Sequence, residues 1–383
     1  EKNDALDALV GDVDLVISLL PYTYHVKVAE LCIKHRKDMV TTSYVSPAMR
    51  ELHHRAKEAG VILLNEIGVD PGIDHMSAKK IIDEVHRKGG KIKSFRSWCG
   101  GLPAPDANTN PLGYKFSWSP RGVLLAGRNP AHYLEDGQEV NIPGEELFDH
   151  HWSVDVPGTE GFEGYPNRDA VPYAHVYRIP EAKTVFRGTL RYPGWSETMA
   201  NVSELGLLDV EEQDLSGLTY KQFLGRCIGY EGCEIRDAVA GFLSLDRDSF
   251  VLDNLEWLGL FSDDPLPIRR GAPIDVLTAR MLEKMRYGDD ERDMLVMHHE
   301  FVAEYPDHKE AITSTMIDYG IAGGDTSMSR TVGLPAAVAT RLILEGQISR
   351  RGVVVPVTPD IYEPVLAELE TMGIRLQEVD RPL

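Results

Sequence analysis

Apolar residues over the first seventy positions come in short runs separated by amphipathic stretches. The first residues read as the end of a polar helix. Residues 14–21, Asp-Leu-Val-Ile-Ser-Leu-Leu-Pro, form an apolar run stopped by proline, which predicts a fully buried parallel strand. Val26, Val28, Ala29, Leu31 and Cys32 recur at helical spacing within 24–35. Residues 38–42 predict a second strand, 47–59 a helix ended by Gly60, and 61–66 a third strand. This alternation predicts an α/β fold with a Rossmann-like, doubly wound parallel sheet. Asp70-Pro71-Gly72-Ile73-Asp74 predicts a helix start, with Asp70 at the N-cap and Pro71 in the first turn, running through Val85 to Gly89-Gly90.

Further along, 91–99 reads as a strand, 100–111 as a Gly/Pro-rich loop and 120–128 as a helix. Residues 133–195 are rich in strand and turn signals, and from 196 to 287 helical periodicity takes over. Two strands are expected at 292–305 and 311–319, a helix at 334–344, a strand at 352–356 and a helix near 363–372. The expected organisation is a dinucleotide-binding unit from 1–70 and 335–383, a mixed-sheet α/β substrate unit from 71–195 and 288–334, and an inserted all-helical domain at 196–287. A dinucleotide fold normally opens with a strand and a GxGxxG turn, and no GxGxxG occurs here. The first strands of such a fold are therefore expected to be missing from this sequence.

The chain has 383 residues, 43% hydrophobic and 26% charged, as expected of a globular enzyme of two or three domains. Its net charge of -20 disfavours nucleic acid and anionic membranes as partners. An anionic substrate would need a local cluster of arginines. The four cysteines, Cys32, Cys99, Cys227 and Cys233, form no CxxC pair and suit a reducing cytoplasm. No signal-peptide pattern and no apolar run of spanning length is read. The pairs His150-His151 and His298-His299 lack metal-site spacing and read as surface or strand residues, so no metal is expected.

Several residues fall at strand ends, where α/β sheets place ligands. Asp70 is either a helix cap or a carboxylate for a substrate ammonium or a proton. Cys99 ends a strand before Gly100-Gly101, either as a small buried hydrophobe or near a ligand. Ser43 and Tyr44 follow the second strand, as turn chemistry and a packed ring or as substrate-facing groups. Leu19 and Pro21 end the first strand. Trp118 is a core residue or packs on a cofactor. His75, one turn beyond Asp70, reads first as structural. Arg168 and Arg191 read by residue type alone as surface ion-pair residues.

Five sets of segments change these readings. They are residues 16–22 (VISLLPY), 41–44 (TTSY), 65–75 (NEIGVDPGIDH), 98–105 with 110–119 (WCGGLPAP and NPLGYKFSWS), and 165–169 with 187–192 (YPNRD and RGTLRY). Together, in this order and spacing, they resemble the glutamate-forming saccharopine dehydrogenase (saccharopine reductase) family over nearly the whole chain. The resemblance implies an oxidoreductase of lysine metabolism, a cytoplasmic homodimer, and adds dimerisation to the substrate unit of 71–195 and 288–334. It would interconvert saccharopine with L-glutamate and 2-aminoadipate 6-semialdehyde, with NADP slightly favoured over NAD. It implies that Arg168 and Arg191 clamp substrate carboxylates, with Thr189 and Leu190 at their border and Ser43, Tyr44 and Asp70 also against the substrate. It makes Asp70, Cys99 and Tyr44 the catalytic candidates. It sets Leu19, Thr41, Thr42, Gly68, Val69, Asp70 and Trp118 against the cofactor. The family's phosphate-binding loop has no counterpart in these residues. A carboxynorspermidine-type dehydrogenase and a non-catalytic regulator on the same scaffold are the competing readings. Two clamp arginines argue against the first, and the retained cluster of Asp70, Cys99, Arg168 and Arg191 against the second.

Overall fold

The computed structural model describes residues 2–383, with side chains from residue 4 onward. Helix α1 (Lys2–Asp12) leads into β1 (Leu15–Ile17), and α2 (His25–His35) crosses to β2 (Asp38–Val40). The next crossover is two short helices, α3 (Pro47–Glu51) and α4 (His53–Ala59), meeting at Leu52 where a single helix was expected, before β3 (Ile62–Leu64). These strands pair in parallel in the order β1-β2-β3, and β14 (Gly352–Val354), from far along the chain, adds in parallel beside β3. The expectation of a fully buried first strand is corrected. Among the described residues β1 pairs only with β2, so Ile17 is 46% and Leu19 65% exposed.

After α5 (Ile73–Arg87) the chain builds a mixed sheet from β4 (Lys91–Pro103), β5 (Ala131–Glu135), β6 (Gln138–Ile142), β7 (Trp152–Val154), β8 (Phe162–Pro166) and β9 (Thr184–Arg191). β12 (Asp293–Glu304), β13 (Lys309–Tyr319) and β15 (Gln377–Pro382) complete it. Its order is β15-β13-β12-β4-β9-β5-β6, with β7 and β8 attached through β9. β4 and β9 run parallel in the middle of an otherwise antiparallel sheet. Within 335–383, expected to belong to the dinucleotide-binding unit, β14 joins the small sheet while β15 pairs with β13 of the large one.

Residues 196–287 are not all-helical. They hold most of α8 (Trp195–Glu204) and all of α9 (Tyr220–Ile228), α10 (Ile235–Phe242), α11 (Phe250–Leu258) and α12 (Pro273–Lys284), and also a ribbon of β10 (Gln213–Asp214) with β11 (Arg270–Gly271). Leu252, Leu255, Ile274 and Met281 share one apolar core with Trp98, Phe186 and Leu190 of the large sheet. The helices therefore cover that sheet rather than enclose a core of their own.

A second core joins the two sheets. Val40, Ile62, Leu64, Ile67 and Val69 pack with Leu295, Met297 and Met316 of the large sheet and with Ala336, Val338 and Leu342 of α13 (Ser327–Leu344). The carboxyl edge of β1–β3 consequently meets the middle of the large sheet, where the β4–β9 pairing ends at Cys99 and Thr189 and β9 ends at Arg191. Among the described residues no helix is long and apolar enough to cross a membrane.

Candidate active site

The segment leaving β3 does not start a helix at Asp70. Gly68 N donates to Pro71 O (2.9 Å) and Ile73 N to Gly68 O (2.9 Å), folding 68–72 into a tight loop with a cis Asp70–Pro71 bond. Gly72 is the N-cap of α5, and its N–H is taken by Asp74 Oδ1 at 2.5 Å. Only glycine fits there, because φ is 151° and a Cβ would lie 2.0 Å from Gly68 O. Relieved of capping, the Asp70 carboxylate points elsewhere.

It points to Tyr44 and Arg187. Tyr44 Oη donates to Asp70 Oδ1 at 2.7 Å. Arg187 Nη2 donates to Asp70 Oδ1 at 2.5 Å and to Asp74 Oδ2 at 2.6 Å, and lies 3.2 Å from Tyr44 Oη. The guanidinium stacks 4.7 Å from the Tyr173 ring centre. Both partners are almost fully enclosed, with Arg187 4% and Asp74 1% exposed at the side chain. Burial raises the Asp70 pKa, but the Arg187 charge and the Tyr44 hydroxyl more than offset it, and Asp70 is held below the usual carboxylate range. Asp74 goes the other way: burial pushes it up, the neighbouring Asp70 adds to that, and His75 and Arg187 offset only part. Two carboxylates facing one guanidinium are thus driven apart in acidity, the pattern of an acid–base site.

His75 backs this cluster. Its Nδ1 is 2.6 Å from Tyr177 Oη and its Nε2 2.8 Å from Glu66 Oε2, and the ring stacks on Tyr173. Glu66 Oε1 in turn accepts from Val45 N (2.9 Å) and Glu66 N donates to Ser43 O (3.1 Å), holding the Ser43–Val45 loop. His299 is also buried, with Nε2 2.8 Å from Ser77 Oγ, and burial pushes its pKa down to about 3, so the ring is neutral. The reading of His298-His299 as surface residues is corrected in that respect: they are strand residues of β12, but inside.

Arg191 is different from Arg187. It is 6% exposed, its Nη1 donates to Leu190 O (2.8 Å), and its Nε has no partner. No carboxylate among the described residues pairs with it. Aromatic rings surround it instead, with centres 4.8 Å (Tyr114), 5.5 Å (Trp195) and 6.0 Å (Tyr165) from the guanidinium carbon. Tyr114 Oη and Trp195 Nε1 are buried there without acceptors or donors. Cation–π contacts supply about 0.5–2 kcal/mol each, against the several kcal/mol that an isolated buried cation costs. Arg168 is exposed, carries no carboxylate either, and sits 5.1 Å from the Tyr44 ring centre.

Cys99 lies between the two arginine environments. Its thiol pKa is pushed well up by burial and then by Asp70 and Asp74, against the pull of Arg187 and Arg191. It stays a thiol and is no nucleophile. Thr189 is directly across from it in β9. Leu190 is fully buried in the core beside Gly100, and its carbonyl accepts from Arg191 Nη1.

Of the residues expected against a cofactor, Leu19 and Trp118 are exposed (65% and 42%), and Thr42 stands over Gly68, where an added Cβ would come within 3.1 Å of the Thr42 Cβ. Val69 is 5% exposed. Thr41 does not fit the expectation. It is fully buried, with its hydroxyl 3.4 Å from His25 Nε2 and accepting from Ser43 N. The apolar edge at Leu19 and the close-packed 68–69 backbone suit the flat nicotinamide end of a dinucleotide. Arg187, Asp74, Glu66, Tyr173 and Tyr177 are the site residues that the sequence reading missed.

A profile of the saccharopine dehydrogenase C-terminal domain matches residues 68–374, and one of the saccharopine dehydrogenase NADP binding domain matches residues 1–64. Saccharopine dehydrogenase (NADP(+), L-glutamate-forming) of Saccharomyces cerevisiae is 45% identical over 387 residues, covering 98% of this chain and 86% of its own. The mitochondrial alpha-aminoadipic semialdehyde synthase of Bos taurus is 40% identical over 383 residues, covering 98% of this chain and 41% of its own. The apo structure of the histidine-tagged S. cerevisiae saccharopine dehydrogenase (L-Glu forming) superposes with a TM-score of 0.90 at 43% identity, over 99% of this chain and 87% of that one. A homospermidine synthase from Legionella pneumophila shares the fold alone, with a TM-score of 0.55 at 10% identity.

Proposed function

The chain belongs to the saccharopine dehydrogenase family, and from that premise we propose that it interconverts saccharopine with L-glutamate and 2-aminoadipate 6-semialdehyde, with NADP as its cofactor. The observation that carries the reading is the buried Arg191 without a carboxylate, beside the paired Asp70, Tyr44 and Arg187. Saccharopine is a secondary amine with three carboxylates. A carboxylate on Arg191 would meet the Nε and Nη donors in bidentate fashion, with Tyr114 and Trp195 supplying further polar edges. Arg168 at the rim takes a second carboxylate. A carboxynorspermidine-type substrate has a single carboxylate and would leave one of the two cations unmatched, which disfavours that alternative.

In the oxidative direction NADP, held at the edge formed by Leu19, Gly68 and Val69, would supply the acceptor for the hydride on the carbon beside the secondary amine. The nitrogen lone pair then forms the imine, water adds to that carbon, and the C–N bond breaks to release glutamate and the semialdehyde. Asp70, kept ionised by Arg187, holds the substrate ammonium or accepts a proton, and Tyr44 fixes its orientation. Cys99 remains neutral and positions the reacting carbon. The apolar edge at Leu19, Gly68 and Val69 holds the nicotinamide side of the cofactor.

The test is the purified protein with saccharopine and NADP or NAD. The reading expects NADP-linked oxidation with glutamate released in equal amount. Glutamate failing to form would overturn it.

A further inference from the structure

Behind Ser43 lies a buried imidazole that no step above uses. His25 opens α2 and is 4% exposed. Its Nδ1 is 2.8 Å from Ser18 Oγ and its Nε2 2.9 Å from Ser43 Oγ. Ser18, 3% exposed, follows β1, and Ser43 follows β2, so one ring bridges two strand ends at the edge facing the site. Burial depresses the His25 pKa, and the ring is neutral, with one nitrogen donating and the other accepting.

The Ser18 hydroxyl selects the tautomer. His25 Nδ1 is its only side-chain partner among the described residues. Were Nδ1 protonated, the Ser18 proton would be left buried without an acceptor, which costs about 1–3 kcal/mol. Ser18 therefore donates to Nδ1, and Nε2–H donates to Ser43 Oγ. Thr41 Oγ1, 3.4 Å from Nε2 and 3.4 Å from Ser43 N, tightens the same corner. With its oxygen already accepting, Ser43 keeps its own proton free for the cleft.

We propose that His25 is a positioning residue that orients Ser43 as a hydroxyl donor to a carboxylate of the substrate. This rests on the saccharopine reading above. His25 touches no reacting atom and acts through Ser43.

A double-mutant cycle with saccharopine and NADP tests it, using His25→Phe, His25→Gln, Ser43→Ala and His25→Phe/Ser43→Ala. His25→Phe and Ser43→Ala each raise the saccharopine KM roughly tenfold, with kcat and the NADP Kd within about twofold. The double variant is no worse than Ser43→Ala alone. His25→Gln restores the wild-type KM, because its amide can donate to Ser43 and accept from Ser18. If His25→Phe does not fold, His25→Asn, too short to reach both hydroxyls, takes its place. Losses that multiply in the double variant, or an equal loss of NADP affinity, overturn the assignment of His25 alone. A wild-type protein that does not turn over saccharopine overturns this proposal together with the reading beneath it.

Discussion

Tyr44 Oη and Asp70 Oδ1 are 2.7 Å apart, which ties the loop after β2 to the loop after β3. That bond exists because Asp70 is not a helix cap. Gly72 and Asp74 close the start of α5 between them, and the Asp70 carboxylate is left for Tyr44 and Arg187.

Asp70→Asn should therefore cost activity more than stability. Arg187 keeps Asp74 as its partner, so the loss of stability stays below about 2 kcal/mol. The kcat falls on the order of 100-fold, as expected when an acid–base group is lost. Thermal melts and steady-state kinetics on one preparation check this. A variant that unfolds while its folded fraction turns over normally would contradict it.

Glu66 gives the protein an acid-side stability term. Burial raises its pKa, but the His75 contact, the His75 charge and the Val45 N–H bring it below 4.5 in the folded state. A depressed folded value means stabilisation that is present above the unfolded value and lost as pH falls through the folded one. Urea midpoints between about pH 6 and pH 3 should drop more steeply for the wild type than for Glu66→Gln. Parallel slopes would contradict this role.

Gly72→Ala should cost about 3 kcal/mol or more, because the new Cβ meets Gly68 backbone at 2.0 Å with φ at 151°. Gly89→Ala, also at positive φ (82°) but with nothing within 4 Å, serves as the control at about 1 kcal/mol. Equal losses would mean the tightness of the 68–72 loop is not the cause.

Much of this site was legible in local pattern, and its failures are of one kind. Ser43, Tyr44 and Asp70 were named as candidates because strand ends of a parallel sheet collect ligands. Arg187, Thr189 and Arg191 alternate along β9, so they share one face of the strand. That period could have drawn Arg187 into the site along with Arg191. Which of the two would be neutralised depended on Asp70 and Asp74 lying more than a hundred residues away, and no local signal carries that. The apolar run at 14–21 predicted a strand correctly and its burial wrongly, since burial needs neighbours on both sides. The helices of 196–287 were visible from periodicity. Their shared core with Trp98 and Phe186 is a long-range fact, and so is the β10–β11 ribbon. His25 escaped notice because the reading of 24–35 counted only apolar positions.

The central claim is that Arg191 is buried without a carboxylate because the substrate brings one. The saccharopine KM and the NADP Kd of Arg191→Ala, measured side by side with the wild type, test it most directly. The account predicts a KM raised on the order of 100-fold, about 2–3 kcal/mol, with the NADP Kd nearly unchanged. An unchanged KM, or a parallel loss of NADP affinity, would contradict it.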